Sequence, residues 1–421
     1  MNPARTVLQT RCVQVVSVAC ALLCLAGAAA AQVAVRGRQV YTAGPLGNIA
    51  RGVVVISAEG KITDVGPQDR VRIPDGYRVL DAEIVTPGLI DAHCTVGLSG
   101  LYNQPHDSDQ IESSAAIQPE LRATDAYNSK DALVEWVRSF GVTTVHTGHA
   151  PGEVISGQTA VIKLSGDTVD EAVVLPVAAV AATLGPESFR QGSPGTRGKQ
   201  ISVLRQELIK AQEYLAKRRR PAEPDADAKK SEPPARDLRL EMLAAVLNKE
   251  VPLLVTAQRA QDIASALRLK AEFGIDLILD GAAESPLLID QIKAAGVPVF
   301  VHPLMTRAFG EMENASVETP ALLDKAGIPV AIQGGYEAYV PKARVVLFEA
   351  AIAAANGLSF DRALESVTIR PARVLKVDGR VGSLEVGKDG DVAMFDADPF
   401  EYTSHCIGVV INGRVVSQTP R

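Results

Sequence analysis

Between about residues 86 and 375, short apolar runs ending in polar residues alternate with stretches of helical periodicity. No other feature of this 421-residue chain restricts its fold as strongly. The runs are Val142-Thr-Thr-Val-His146, Val251-Pro-Leu-Leu-Val-Thr256, Ile275-Asp-Leu-Ile-Leu-Asp280, Val297-Pro-Val-Phe-Val-His302 and Ile328-Pro-Val-Ala-Ile-Gln333. Each is of strand length and nearly continuous in apolar residues, as a strand covered on both faces must be, so a parallel sheet flanked by helices is predicted. Over a span of about 250 residues or more, such a sheet closes into a (β/α)8 barrel.

The ends of the chain read differently. From residue 32 to 85, apolar and polar residues alternate between turn signals, as in Val53-Val-Val-Ile-Ser57 and Gly60-Lys-Ile-Thr-Asp-Val-Gly66, and predict short antiparallel strands. The style returns after residue 376, in Asp391-Val-Ala-Met-Phe395 and Val409-Val-Ile-Asn-Gly-Arg-Val-Val416. One small β-sandwich domain assembled from residues 32–85 and 376–421 accounts for both, with the barrel at 86–375. Residues 216–237 carry arginines, prolines and acids with no apolar face, and read as an exposed loop joining helices around residues 201–216 and 238–248.

The first 31 residues precede any fold. Arg5 and Arg11 lead into an apolar run over residues 13–26 and a string of alanines at 28–31, the pattern of a secretory signal peptide cleaved after Ala31. Retention as an anchor is the alternative. A periplasmic or secreted protein with no other membrane attachment is expected. Losing two arginines takes the formal charge from -6 to -8. That sign disfavours nucleic acid as a partner, and 4% aromatic residues leave little for stacking on bases. Three of the five cysteines leave with the leader. Cys94 and Cys406 read as two buried thiols, with pairing as the alternative.

Three motifs carry chemical information: Thr86-Pro-Gly-Leu-Ile-Asp-Ala-His93, the helix exit Pro371-Ala-Arg-Val-Leu-Lys-Val-Asp378, and Gly382-Ser-Leu-Glu-Val-Gly-Lys-Asp-Gly-Asp-Val-Ala393. Together they resemble the amidohydrolase superfamily in its imidazolonepropionase-like branch. Gly141-Val-Thr-Thr-Val145, Gly157-Gln-Thr-Ala-Val-Ile-Lys163, Arg259-Ala-Gln-Asp-Ile263 and Lys270-Ala-Glu-Phe-Gly-Ile275 are also similar, so the likeness extends over nearly the whole chain after the leader. It implies hydrolysis of non-peptide or cyclic-amide C–N bonds at the C-terminal mouth of the barrel. There, an H-x-H pair on strand 1, a carboxylated lysine on strand 4, histidines on strands 5 and 6 and an aspartate on strand 8 would hold one or two divalent ions. Several ligands are needed, because only a closely held cation brings its water to a pKa of ~7.

Most of those positions hold other residues. Strand 1 offers His93 but Thr95; strand 4 places Ala181 near the lysine position, while Lys163 lies on an earlier strand; strand 5 has Thr256 followed by Gln258. Strand 6 has Asp280 in place of histidine, and strand 8 reads Gln333-Gly-Gly with no carboxylate. Five of the six expected ligands are replaced, so the metal centre is expected to be degenerate. Thr95, Thr256, Gln258 and Gln333 are the candidate binding residues of a rebuilt mouth.

Two further constellations remain. His93, Asp280 and His302 would make a two-histidine, one-carboxylate site for a single divalent metal such as zinc if their side chains converge; the alternative is two histidines bonded to nearby backbone. Without metal, Asp280 with Glu284 or Glu337 could perform acid–base hydrolysis, although acids at such positions more often cap helices. His146 and His149 are assigned to a loop over the mouth, and His106 to an exposed loop. The expectations are therefore an exported amidohydrolase-like hydrolase with a degenerate centre and no cofactor, or a pseudoenzyme. The pseudoenzyme would bind a small ligand or pair with an active paralogue; a homodimer is implied by the resemblance alone.

Overall fold

The structure, a computed structural model, describes residues 32–102, 104–219, 234–336 and 345–421. The predicted leader, most of the predicted 216–237 loop and Glu337 lie outside these residues.

Four strands open the chain: β1 (Val33–Tyr41), β2 (Asn48–Ile56), β3 (Ile62–Pro67) and β4 (Arg78–Pro87). After the barrel strands, β5 to β12, come β13 (Val392–Phe395), β14 (Cys406–Ile411) and β15 (Arg414–Ser417). These seven form one continuous sheet in the order β15-β14-β13-β4-β1-β2-β3, so both chain ends build it as expected. Its pairings are antiparallel except β1 with β4, which run parallel. Val35, Val54, Ile56, Ile62, Val85, Val392 and Met394 fill its core. Alternate residues of the same strands are buried on the opposite face, Val53 and Val55 against Val71 and Ile73, and Ala393, Phe395, Val409 and Ile411 in the core that includes the barrel's outer side.

The second sheet has eight strands: β5 (Leu89–Cys94), β6 (Val142–Gly148), β7 (Ile155–Lys163), β8 (Val173–Thr183), β9 (Leu253–Ala257), β10 (Leu277–Gly281), β11 (Val299–Val301) and β12 (Val330–Ile332), paired in chain order. Helices Arg197–Arg219, Leu238–Leu247 and Ala260–Phe273 cover its outside with Leu204, Leu208, Leu243, Ile263 and Ala266. The inside is filled by Ile90, Ala92, Val161, Ala179, Leu254, Ile278, Phe300 and Ala331 and plugged from below by Ala372, Leu375, Val377 and Val381. The sheet closes where Cys94 bridges Gly335 and where the buried Asp91 carboxylate accepts the Gly334 N–H at 3.0 Å on both oxygens. This is the (β/α)8-type barrel that the strand pattern predicted.

It departs from an all-parallel barrel at one strand, because β7 runs antiparallel to both neighbours. Only residues 149–154 separate β6 from β7, too few for the crossover that a parallel pair needs. Lys163 consequently lies at the bottom of the barrel beside Thr144, not at the mouth. There its Nζ reaches Asp389 at 2.7 Å, Asp391 at 2.8 Å and the Asn412 side chain, pinning the barrel to the terminal sheet.

Candidate functional site

Period-two alternation along parallel strands brings one residue per strand to the same interior layer. Thr256 on β9 and Asp280 on β10 are register partners, and Asp280 in turn pairs with Phe300 on β11. The Thr256 hydroxyl donates to Asp280 Oδ2 at 2.6 Å and the Gln333 amide to Oδ1 at 2.7 Å, with a second Gln333 contact to the Phe300 carbonyl at 3.2 Å. His93 Nδ1 lies 3.2 Å from Asp280 Oδ2, an electrostatic contact rather than an aligned hydrogen bond. Three residues named from the sequence thus meet around the fully buried carboxylate of a fourth. Burial alone would raise the Asp280 pKa, but His93, Thr256 and Gln333 more than offset it and hold it below its ordinary value.

Two further residues complete the layer and escape the sequence reading. His146, assigned to a loop, sits on β6 with its ring 5.4 Å from that of His93. Its Nδ1 is 2.6 Å from the Ala92 carbonyl and its Nε2 is 2.7 Å from the Thr159 hydroxyl. Since a carbonyl can only accept, Nδ1 carries the proton and Nε2 accepts from Thr159. Burial, with His93 adding to it, pushes the His146 pKa down to about 3, so this imidazole is neutral and fully committed. Asp91, two residues before His93, is the other; burial raises its pKa to about 7 against the opposing bonds from the Gly334 and His93 N–H groups. The run Val142-Thr-Thr-Val-His146 was itself a strand signal, and its last residue belonged inside the barrel.

The remaining candidates do not join. Thr95 falls just past the end of β5, where a turn takes its hydroxyl to Ser99 at 3.0 Å. Gln258 accepts from the Ala283 N–H at 3.3 Å and packs over Gly281, where a Cβ would meet the amide at 2.4 Å. Glu284 is not an acid–base partner of Asp280: it accepts the Ala260 N–H at 2.6 Å, Arg259 at 2.9 Å and Asn314 at 2.7 Å. It caps the helix after β9, not the one following its own strand, and these donors lower its pKa although burial opposes them. His302 turns Nδ1 to the carbonyl of its neighbour Pro303 at 3.1 Å.

Among the described residues, no group of three or more His, Cys, Asp or Glu side chains is placed to hold a metal ion. The expected His93, Asp280 and His302 triad does not assemble, because His302 belongs to its own turn and Asp280 is already engaged by a hydroxyl and an amide. Cys94 and Cys406 are both buried and unpaired, as the sequence suggested.

Comparison with known proteins agrees with this scaffold. The model of the amidohydrolase family matches residues 213–417. An amidohydrolase, tasK, of Hapsidospora irregularis is 24% identical over 87% of this chain, which spans only 40% of that protein's length. An imidazolonepropionase of Rhizorhabdus wittichii is 26% identical, covering 84% of this chain and 90% of its own. The crystal structure of an amidohydrolase from Thermotoga maritima superposes with a TM-score of 0.83 at 28% identity, over 92% of this chain and all of the other. These likenesses support the amidohydrolase superfamily, in its imidazolonepropionase-like branch, as the family this chain is similar to.

Proposed function

We propose that this protein is an exported member of its hydrolase superfamily in which ligand binding has outlived metal-dependent hydrolysis. It would hold a small molecule at the barrel mouth without turning over a C–N bond through a bound ion. The observation that carries this reading is the Asp280 carboxylate, which occupies the strand 6 ligand position and is engaged by Thr256, Gln333 and His93. A hydrolytic ion needs three or more converging protein donors at about 2.0–2.2 Å. Beside the His93 imidazole, the groups at those positions are an alanine, hydroxyls, an amide and a carboxylate already in use.

The test is elemental analysis of the purified protein together with turnover of a panel of cyclic amides and dipeptides. The reading expects metal well below one ion per chain and turnover no faster than buffer. A stoichiometric ion lost in His93→Ala would overturn it.

One observation favours a second reading, metal-free hydrolysis. His93 Nε2 is buried without a hydrogen-bond partner while Nδ1 faces a carboxylate, the relation of a base to its orienting acid. Turnover abolished by Asp280→Ala in metal-free protein would favour it.

A further inference from the structure

We infer that the face of the barrel opposite the mouth carries a second ligand site, one that takes a small organic carboxylate with an apolar body. A cavity of about 530 Å³ opens there, between the approaches to β11 and β12 and helices Phe360–Ser366 and Ile369–Val374. That volume lies within the range of small-molecule sites. Pro298, Ile328, Pro329 and Val374 give it an apolar wall, and Arg362, Arg370 and Arg373 give it guanidinium groups in a chain whose net charge is negative.

The charges are unequally committed. Arg362 pairs with Glu365 at 2.8 Å, and Arg370 with Glu365 at 3.2 Å and Asp324 at 2.6 Å. Two acids therefore satisfy two arginines. Arg373, three residues after Arg370 and so on the same side of its helix, is exposed, and its guanidinium makes no ion pair or hydrogen bond among the described residues; it acts on Glu385 only through space. It also borders a second cleft of about 360 Å³ that runs to the turn between β1 and β2, so a ligand held at Arg373 has room on both sides. Asp361 lines that second cleft as well, so the local charges balance, but Arg373 is the guanidinium left uncommitted beside the apolar wall, and it selects a single negative charge on an apolar body. A carboxylate matches the guanidinium fork with two parallel hydrogen bonds.

Calorimetric titration of the full chain with 4-phenylbutyrate and with its uncharged amide, 4-phenylbutanamide, tests this. The carboxylate should bind at least about tenfold more tightly than the amide, the ratio expected of a charge-assisted contact. Arg373→Ala should erase that preference, weakening the carboxylate about tenfold while leaving the amide as it was. Arg373→Lys should recover only part, since an ammonium lacks the fork. Val374→Trp, which fills the cleft, should abolish binding of both. Because Arg373 is exposed and unpaired, its variants keep the fold. Equal affinity for acid and amide, an unchanged affinity in Arg373→Ala, or no binding by about 10 mM would each overturn the assignment.

Discussion

Replacing Lys163 by Met removes the cation at the joint between barrel and terminal sheet while keeping the length of an apolar stem. The Lys163, Asp389 and Asp391 side chains are 2%, 3% and 4% exposed, so the charges left behind cannot be rescued by water. Deleting one partner of a buried ion pair costs about 3–5 kcal/mol. Asp389 keeps Lys61 at 2.5 Å and Arg380 at 3.1 Å, whereas Asp391 keeps the Asn412 N–H at 2.8 Å. The penalty thus falls mainly on Asp391, and a loss of about 3 kcal/mol is expected, the lower end of that range. Urea unfolding followed by circular dichroism measures it. Adding Asp391→Asn to Lys163→Met removes the stranded charge and should return about 1–2 kcal/mol. The pH dependence has a definite sign: Lys163 and its neighbours overcome burial and hold the Asp389 pKa below its ordinary value. Its contribution is therefore present above the unfolded carboxyl pKa of about 3.9 and is lost as pH falls through the folded value. A Lys163→Met loss under about 1 kcal/mol, or one left unchanged by Asp391→Asn, would refute the reasoning.

Asp280→Ala strips Thr256 and Gln333 of their shared acceptor in the barrel interior and should cost about 2–4 kcal/mol in the same unfolding assay. Asp91, with a folded pKa of about 7, holds its proton where the unfolded chain has already released it. Stability should accordingly decline as pH rises from 4 to 7, by at most about 4 kcal/mol, and Asp91→Asn should flatten that slope. Glu284→Ala removes the cap of Ala260–Phe273 and a partner of Arg259, and should lower stability by about 1–2 kcal/mol without changing metal content on elemental analysis.

The barrel and the two-ended sheet were legible because continuous apolar runs mark the barrel strands, which are covered on both faces, and turn signals mark off the short strands at both ends of the chain. His93, Thr256, Asp280 and Gln333 were named one by one, from ligand positions that the resemblance implies, and that they gather around a single carboxylate emerges only from the register of neighbouring strands. What failed depends on geometry beyond a single strand. Thr95 shares parity with His93, but β5 stops at Cys94 and the following turn takes its hydroxyl. Glu284 finds its partners on the neighbouring loop and helix, a pairing that local sequence does not encode. His302 precedes a proline whose carbonyl takes the ring nitrogen. The reversal of β7 could have been read, because six residues between two strands favour a hairpin.

In the terminal sheet, β4 lies between β1 and β13, so one edge of the N-terminal block finds its neighbour only when residues 392–395 exist. Throughout synthesis the nascent chain carries an uncovered strand with free amide and carbonyl groups, an open invitation to pair with another polypeptide. A premature stop anywhere in the barrel leaves that edge bare permanently. Frameshifts late in the reading frame should therefore yield aggregates rather than a shortened but soluble barrel.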